Sequence, residues 1–172
     1  NEVLYAFPVE RLIFNDDKVF RQGVSYKKIN DEYYLGFIDL EITSAIDQFL
    51  KDSKNLLEIK FPPEDLCNRW VTEWHCDLPI WFKKLSKILL NGSLLVVDYA
   101  LESKRYYNSR RKEGTLLSYR NQEANPNILQ SAGLCDLTAH LCIESTINYA
   151  KANGWNYMGE ARQGQALLAL GL

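Results

Sequence analysis

Polar positions break the first forty residues into three apolar runs. VERLIF, KVFRQGVSY and EYYLGFIDL are rich in β-branched and aromatic residues, and Asn15-Asp16-Asp17 and Asn30-Asp31 separate them with turn chemistry. This pattern predicts an antiparallel meander over residues 9–39. Within the middle run, Val19, Arg21, Gly23 and Ser25 share one face, and Phe20, Gln22, Val24 and Tyr26 the other. The second face is the more apolar and is predicted to be buried. A helix over 42–50 follows, then a loop rich in Lys, Asp and Asn, with Pro62-Pro63 stopping any regular element.

The clearest helix begins after Asp77, a good N-cap, with Pro79 in its first turn. Leu78, Trp81, Phe82, Leu85, Ile88 and Leu89 repeat at the spacing of one helical face, and Asn91-Gly92 closes the segment, with Gly92 as a left-handed cap. SLLVVDYA starts at once. Its unalternating Leu94, Leu95, Val96 and Val97 predict a strand buried on both faces, the second half of a βαβ crossover. Further along, TLLSY and DLTAHLCI read as strands and NQEANPNILQSAG as a loop with a short helix. Residues 144–153 read as a helix ended by Gly154, WNYMG as a last strand, and residues 163–170 as a closing helix.

Composition narrows the class. The 172 residues are 47% hydrophobic and 24% charged, as in a globular domain. The net charge of −2 argues against a dedicated nucleic-acid binder. No apolar run approaches the ~18 residues of a membrane span, no signal peptide is visible, and the cytoplasm is the expected location. The chain opens without an initiator Met, as a fragment or processed product would. Cys67, Cys76, Cys135 and Cys142 form no CxxC pair and read as reduced thiols. Cys67, His75 and Cys76 fit no common zinc spacing, so no metal is expected.

An acidic residue at the C-terminal end of a parallel strand sits where open α/β sheets bind ligands, which places Asp98 and Tyr99 at the candidate site. Asp98 capping a local turn is the alternative. Asp136, Thr138 and His140 alternate, so they would share one strand face, with His140 available as a proton acceptor near neutral pH. Lys104, Arg105, Arg110, Arg111 and Lys112 surround Tyr106 and Tyr107. They read as a clamp on an acidic partner, as an RNA-stacking loop, or as solvated charge.

Five stretches, in order, carry a family resemblance. NEVLYAFPVER resembles NE-x-x-D-x-x-PV, with Tyr5 in place of the Asp. LLVVDYA resembles a hydrophobic strand ending in DYG, and EGTLLSYR resembles GTL-x-x-Y. AGLCDLTAHLCI is similar to PG-x-x-D-[IL]-T-A-H-V-x-F, and RQGQALLALGL to a closing Q-x-x-FLL-x-LG helix. The family is that of MidA-type S-adenosylmethionine-dependent methyltransferases, bacterial homologues of a mitochondrial complex I assembly enzyme that methylates a protein arginine. The resemblance implies an α/β fold, the C-terminal part of a Rossmann-like class I methyltransferase sheet with an inserted antiparallel β meander and extra helices. Residues 1–172 would form a single incomplete methyltransferase domain, with 77–172 the helix–strand portion of its core. The cofactor's GxGxG turn would lie before Asn1, and Asn1 itself would touch S-adenosylmethionine.

On that resemblance, Glu2 would orient the acceptor guanidinium, since a carboxylate binds it bidentately, and His140 would be the second catalytic group. Asp98, Tyr99, Asp136, Thr138 and Arg110 would bind a protein substrate, a respiratory complex subunit in the mitochondrial case and then in the matrix. Apolar surface left bare by absent strands would favour a homodimer. A non-catalytic assembly module, using the Tyr-rich meander and the basic loop, is the alternative reading.

Overall fold

A computed structural model describes residues 3–66 and 69–172. After a 3-10 helix at Leu4–Ala6 come β1 (Glu10–Asn15), β2 (Lys18–Ile29) and β3 (Glu32–Leu40), the predicted meander. Its turns use residues that tolerate positive φ, at Asp16, Asn30 and Asp31. The sheet has a fourth strand that the apolar pattern did not predict, β4 (Trp70–Trp74), and the order is β3-β2-β1-β4, antiparallel where β1 meets β4. WVTEW mixes aromatic and polar residues without a simple alternation, yet all five are buried.

Register explains how that is tolerated. Phe14 lies opposite Trp70 and Leu12 opposite Thr72, on one face; Ile13 lies opposite Val71 and Arg11 opposite Glu73, on the other. The first face receives α1 (Ser44–Leu57), which buries Ile46, Phe49, Ser53 and Leu57. Phe49 stacks on Trp74 at 4.8 Å. Leu12, Phe14, Trp70, Tyr106, Tyr107 and Cys142 complete this core. The predicted helix over 42–50 is therefore too short. The Lys- and Asp-rich residues taken for a loop are the solvated face of its last two turns, and Glu58 in the left-handed region ends it, before the prolines.

The burial assignment in β2 fails in its outer half, while Phe20 and Gln22 of the predicted face are half-buried. Val24 and Tyr26 are exposed, whereas Val19 packs against the core and Arg21, Gly23 and Ser25 are half-buried. The outer half of the β2–β3 ribbon extends past β1, whose register with β2 reaches only Arg21, so no strand pairs with β2 on that side there.

The helix α2 (Leu78–Ile88) appears as predicted, with Leu78 and Phe82 buried beside Leu4 and Leu141. Asp77 holds the N-cap position but its carboxylate makes no cap hydrogen bond. Gly92 has a positive φ of +144, which favours glycine, but the helix is capped earlier, at Leu89, so Gly92 is not its cap. The predicted buried strand after it is corrected more deeply: residues 93–99 form no regular ladder, and Leu95 is 79% exposed. Only β5 (Ala100–Leu101) pairs, in parallel with β9 (Leu141–Cys142).

Between them lie α3 (Ser103–Tyr106) and the strands β6 (Leu117–Arg120), β7 (Glu123–Asn125) and β8 (Asp136–Thr138), in the order β7-β6-β8. β8 and β9 are followed by α4 (Ile143–Ala152) and α5 (Gln163–Ala169). WNYMG forms no strand. The architecture is mixed α/β. Its one parallel ladder among the described residues is two residues long, shorter than the Rossmann-like sheet portion expected.

Candidate functional site

The break between β8 and β9 is where the candidate residues meet. Three successive amides there reach three separate segments. Ala139 N–H donates to the Tyr5 carbonyl at 2.9 Å, His140 N–H to Thr115 Oγ1 at 3.1 Å, and Leu141 N–H to the Tyr99 carbonyl at 2.8 Å. The kink that ends β8 thus draws together the 3-10 helix, the Gly114-Thr115 turn and the end of the 93–99 segment.

Asp98 holds the first of these in place. Its Oδ2 accepts the backbone N–H groups of Leu4, at 2.9 Å, and Tyr5, at 3.3 Å. These are donors that a helix start leaves without intrahelical partners. Oδ1 accepts the N–H of Tyr99 at 2.8 Å. With both oxygens bonded to backbone N–H groups, Asp98 is an anchor between segments. Replacing Asp98 by Ala is expected to cost the full-length protein about 1 kcal/mol, the usual loss of a cap. Faster amide exchange at Leu4 and Tyr5 would report it.

The anchor sets three rings side by side. Tyr5 and Tyr99 meet edge to face at 5.7 Å, and Tyr99 lies 6.4 Å from the His140 imidazole, also edge to face. Tyr99 is 60% exposed, so this group faces solvent. Burial holds the His140 pKa below its ordinary value of 6.5; the Arg111 guanidinium lowers it further and Asp98 opposes. His140 is therefore neutral at pH 7 and can accept a proton.

Behind His140 stands Glu73, 0% exposed, which the sequence reading missed. Thr115 N–H donates to its Oε2 at 2.8 Å and Thr115 Oγ1 lies 3.2 Å from the same oxygen. Leu116 N–H reaches Oε1 at 3.4 Å, as does Arg11 Nε. Burial pushes the Glu73 carboxyl up, against the pull of Thr115, Arg11 and Leu116. The GTL stretch is thus a cradle around a buried acid. Gly114 has φ +74, and a Cβ there would fall inside the Glu73 carboxylate. Gly114→Ala should lower stability by about 1–3 kcal/mol, the range for overpacking, visible as a lower urea midpoint.

The other predicted residues divide. Asp136 is exposed and Thr138 half-buried; they share one face of β8, beside Tyr119 and Leu117 of β6. The chain changes partner after Thr138, so His140 leaves the ladder they share. Arg110 is exposed, and its backbone N–H is taken by the Asn108 side chain. Its neighbour Arg111 is the one that acts on His140. Tyr106 and Tyr107 are buried in the core, so they offer no stacking surface in the basic loop. Asn1, Glu2 and Cys67 lie outside the described residues. Cys76, Cys135 and Cys142 are free thiols.

Two concavities bear on a cofactor. An open groove of about 340 Å³ is lined by Glu58, Lys60, Asp65 and Lys104, among others; it shares Lys104 and Tyr107 with the basic cluster and does not include Asp98, Tyr99 or His140. A cleft of about 130 Å³ between Val3, Leu4, Phe7, Trp81 and residues 94–96 is lined by apolar side chains. It is below the several hundred Å³ of usual small-molecule sites and lacks polar groups for a nucleoside or an amino acid. Neither of these two concavities by itself fits S-adenosylmethionine.

Residues 1–161 match the model of a family described as "Putative S-adenosyl-L-methionine-dependent methyltransferase". Among curated proteins, none matches. A crystal structure from Burkholderia thailandensis, bound to S-adenosyl-homocysteine, is similar over 90% of this chain and 36% of its own. Its TM-score is 0.73 at 25% identity. A second, native structure of an uncharacterized protein from that organism has TM-score 0.70 at 26% identity, over 88% of this chain and 37% of that one. The chain therefore spans little more than a third of the solved structures it resembles.

Proposed function

The chain belongs to this S-adenosyl-L-methionine-dependent methyltransferase family, and on that premise we propose that it supplies the acceptor-side wall of a protein arginine N-methyltransferase. The observation that carries this is the Asp98 anchor, which brings the Tyr5 segment onto Tyr99 and a neutral His140. Tyrosine rings at a solvent-facing edge suit a planar cation, whose charge is attracted by their π faces. Glu2, just before this segment, would pair with the guanidinium and aim its nitrogen. As that nitrogen gains a carbon it sheds a proton, and His140 would take it. S-adenosylmethionine, held by the full-length protein, supplies the methyl group. A protein such as a respiratory complex subunit, in the cytoplasm or the mitochondrial matrix, is the acceptor in this reading, with exposed Asp136 and Arg110 at the margin.

The test is methyl transfer by the full-length protein from radiolabelled S-adenosylmethionine to arginine-containing peptides, with mass spectrometry of the product. The expected product is methylarginine. His140→Gln should lower turnover about 100-fold, the scale of general-base catalysis, and leave S-adenosyl-homocysteine binding unchanged. Methylation confined to another residue type would overturn the arginine assignment.

A further inference from the structure

Glu73 touches nothing that a substrate could reach, yet it is one hydroxyl away from His140. We propose that Glu73 is a positioning residue for His140, acting through the side chain of Thr115. The polarity of the bonds makes the case. A hydroxyl has one proton and two acceptor lone pairs, and an ionised carboxylate accepts only. Thr115 Oγ1 lies 3.2 Å from Glu73 Oε2 and 3.5 Å from the Tyr106 hydroxyl; it directs its proton to the nearer, charged oxygen and turns a lone pair toward the N–H of His140, at 3.1 Å. Thr115 N–H, bound to the same Oε2 at 2.8 Å, fixes the backbone from which that hydroxyl projects.

Each part of the relay has its own support. Arg11 faces Glu73 across the β1–β4 ladder, and Arg11 also donates to Gln22 on β2 and to the Glu113 carbonyl. The carboxylate is thus held from the sheet side while Thr115 and Leu116 hold it from the turn side. Gly114 is the residue whose side chain would block the approach. At the far end, the His140 amide is flanked by the bonds of Ala139 and Leu141 to Tyr5 and Tyr99. Loss of the middle bond would let the backbone shift at His140 and lessen the burial of its imidazole, the largest cause of its lowered pKa, between Arg111 and Asp98.

The inference rests on the proposed role of His140 in methyl transfer, but its first readout needs no acceptor. In full-length protein with ¹³C-labelled histidine, the His140 resonance, assigned by its loss in His140→Gln, is titrated in wild type, Thr115→Val, Thr115→Ser and Glu73→Gln. Thr115→Val keeps the backbone bond to Glu73 and the β-branched shape while removing the hydroxyl. The expected result is a His140 midpoint raised toward the ordinary histidine value in Thr115→Val and Glu73→Gln. Thr115→Ser, which keeps the hydroxyl, should restore the wild-type midpoint. In the transfer assay the same two variants should lose about tenfold or more in kcat, as for a misplaced group, with KM for S-adenosylmethionine unchanged. A wild-type midpoint in a folded Thr115→Val overturns the relay, even if methyl transfer is robust. A raised midpoint in a protein that methylates nothing supports the relay and counts against the proposed function alone.

Discussion

Glu73→Gln should destabilise the full-length protein by about 3–5 kcal/mol, the cost of breaking a buried ion pair from one side. The reason lies in the donor count. Leu116 N–H reaches Oε1, and Thr115 N–H and Oγ1 reach Oε2, while the Arg11 guanidinium stands 3.4 Å from Oε1 as its charge partner. A glutamine places an NH₂ against one of these pairs, so donor meets donor while Arg11 keeps its charge. Replacing Arg11 by Met in the Glu73→Gln background should recover part of the loss, since the uncompensated charge is then gone. Urea unfolding followed by tryptophan emission reads both variants, because Trp70 and Trp74 flank Glu73 in β4. A Glu73→Gln midpoint equal to wild type would show that the acid is not the centre of the turn.

The second large effect is a loss of stability in mild acid. His75 follows β4, is 5% exposed and has no partner for Nε2 among the described residues. Burial pushes its imidazole from 6.5 down to about 4. A group lowered in the folded state binds its proton more readily when unfolded. Its contribution is therefore fully present above pH 6.5 and is lost as the pH falls toward 4. At about 1.4 kcal/mol per pH unit, the loss approaches ~3 kcal/mol by pH 4. His140 is lowered too, so its contribution has the same sign, but it is half-exposed and solvent weakens it. Comparing urea midpoints from pH 7 to pH 4 in wild type and His75→Gln isolates the effect. The wild-type slope should be the steeper, and parallel curves would remove His75 as the cause.

What could be read from the amino-acid order depended on how local the cause was. The meander was legible because its turns lie in Asn15-Asp16-Asp17 and Asn30-Asp31, and α2 because Leu78 and Phe82 repeat at helical spacing. β4 was not, since Thr72 and Glu73 are buried by partners far along the chain, Thr115 above all. The 93–99 run was read as a buried strand from its apolarity alone, but burial needs a neighbour, and the described residues supply no ladder for it. Of the candidate site, Asp98, Tyr99 and His140 were found and do converge. Tyr5 was noticed only as a departure from the family pattern, and Arg111 was passed over for Arg110. The buried acid had one visible signal, a lone Glu between two tryptophans in WVTEW, with an Arg at the start of a strand that could face it.

The three amides of residues 139–141 have a consequence for the order of folding. Their partners Tyr5, Thr115 and Tyr99 are all distant in sequence, whereas the β1–β3 meander closes through turns of two residues. Closing long loops carries the greater entropic cost, and non-local contacts form late. The meander should thus take shape well before His140 is seated beside Tyr99. In refolding from urea, amide protection in β1–β3 should precede protection at Ala139, His140 and Leu141.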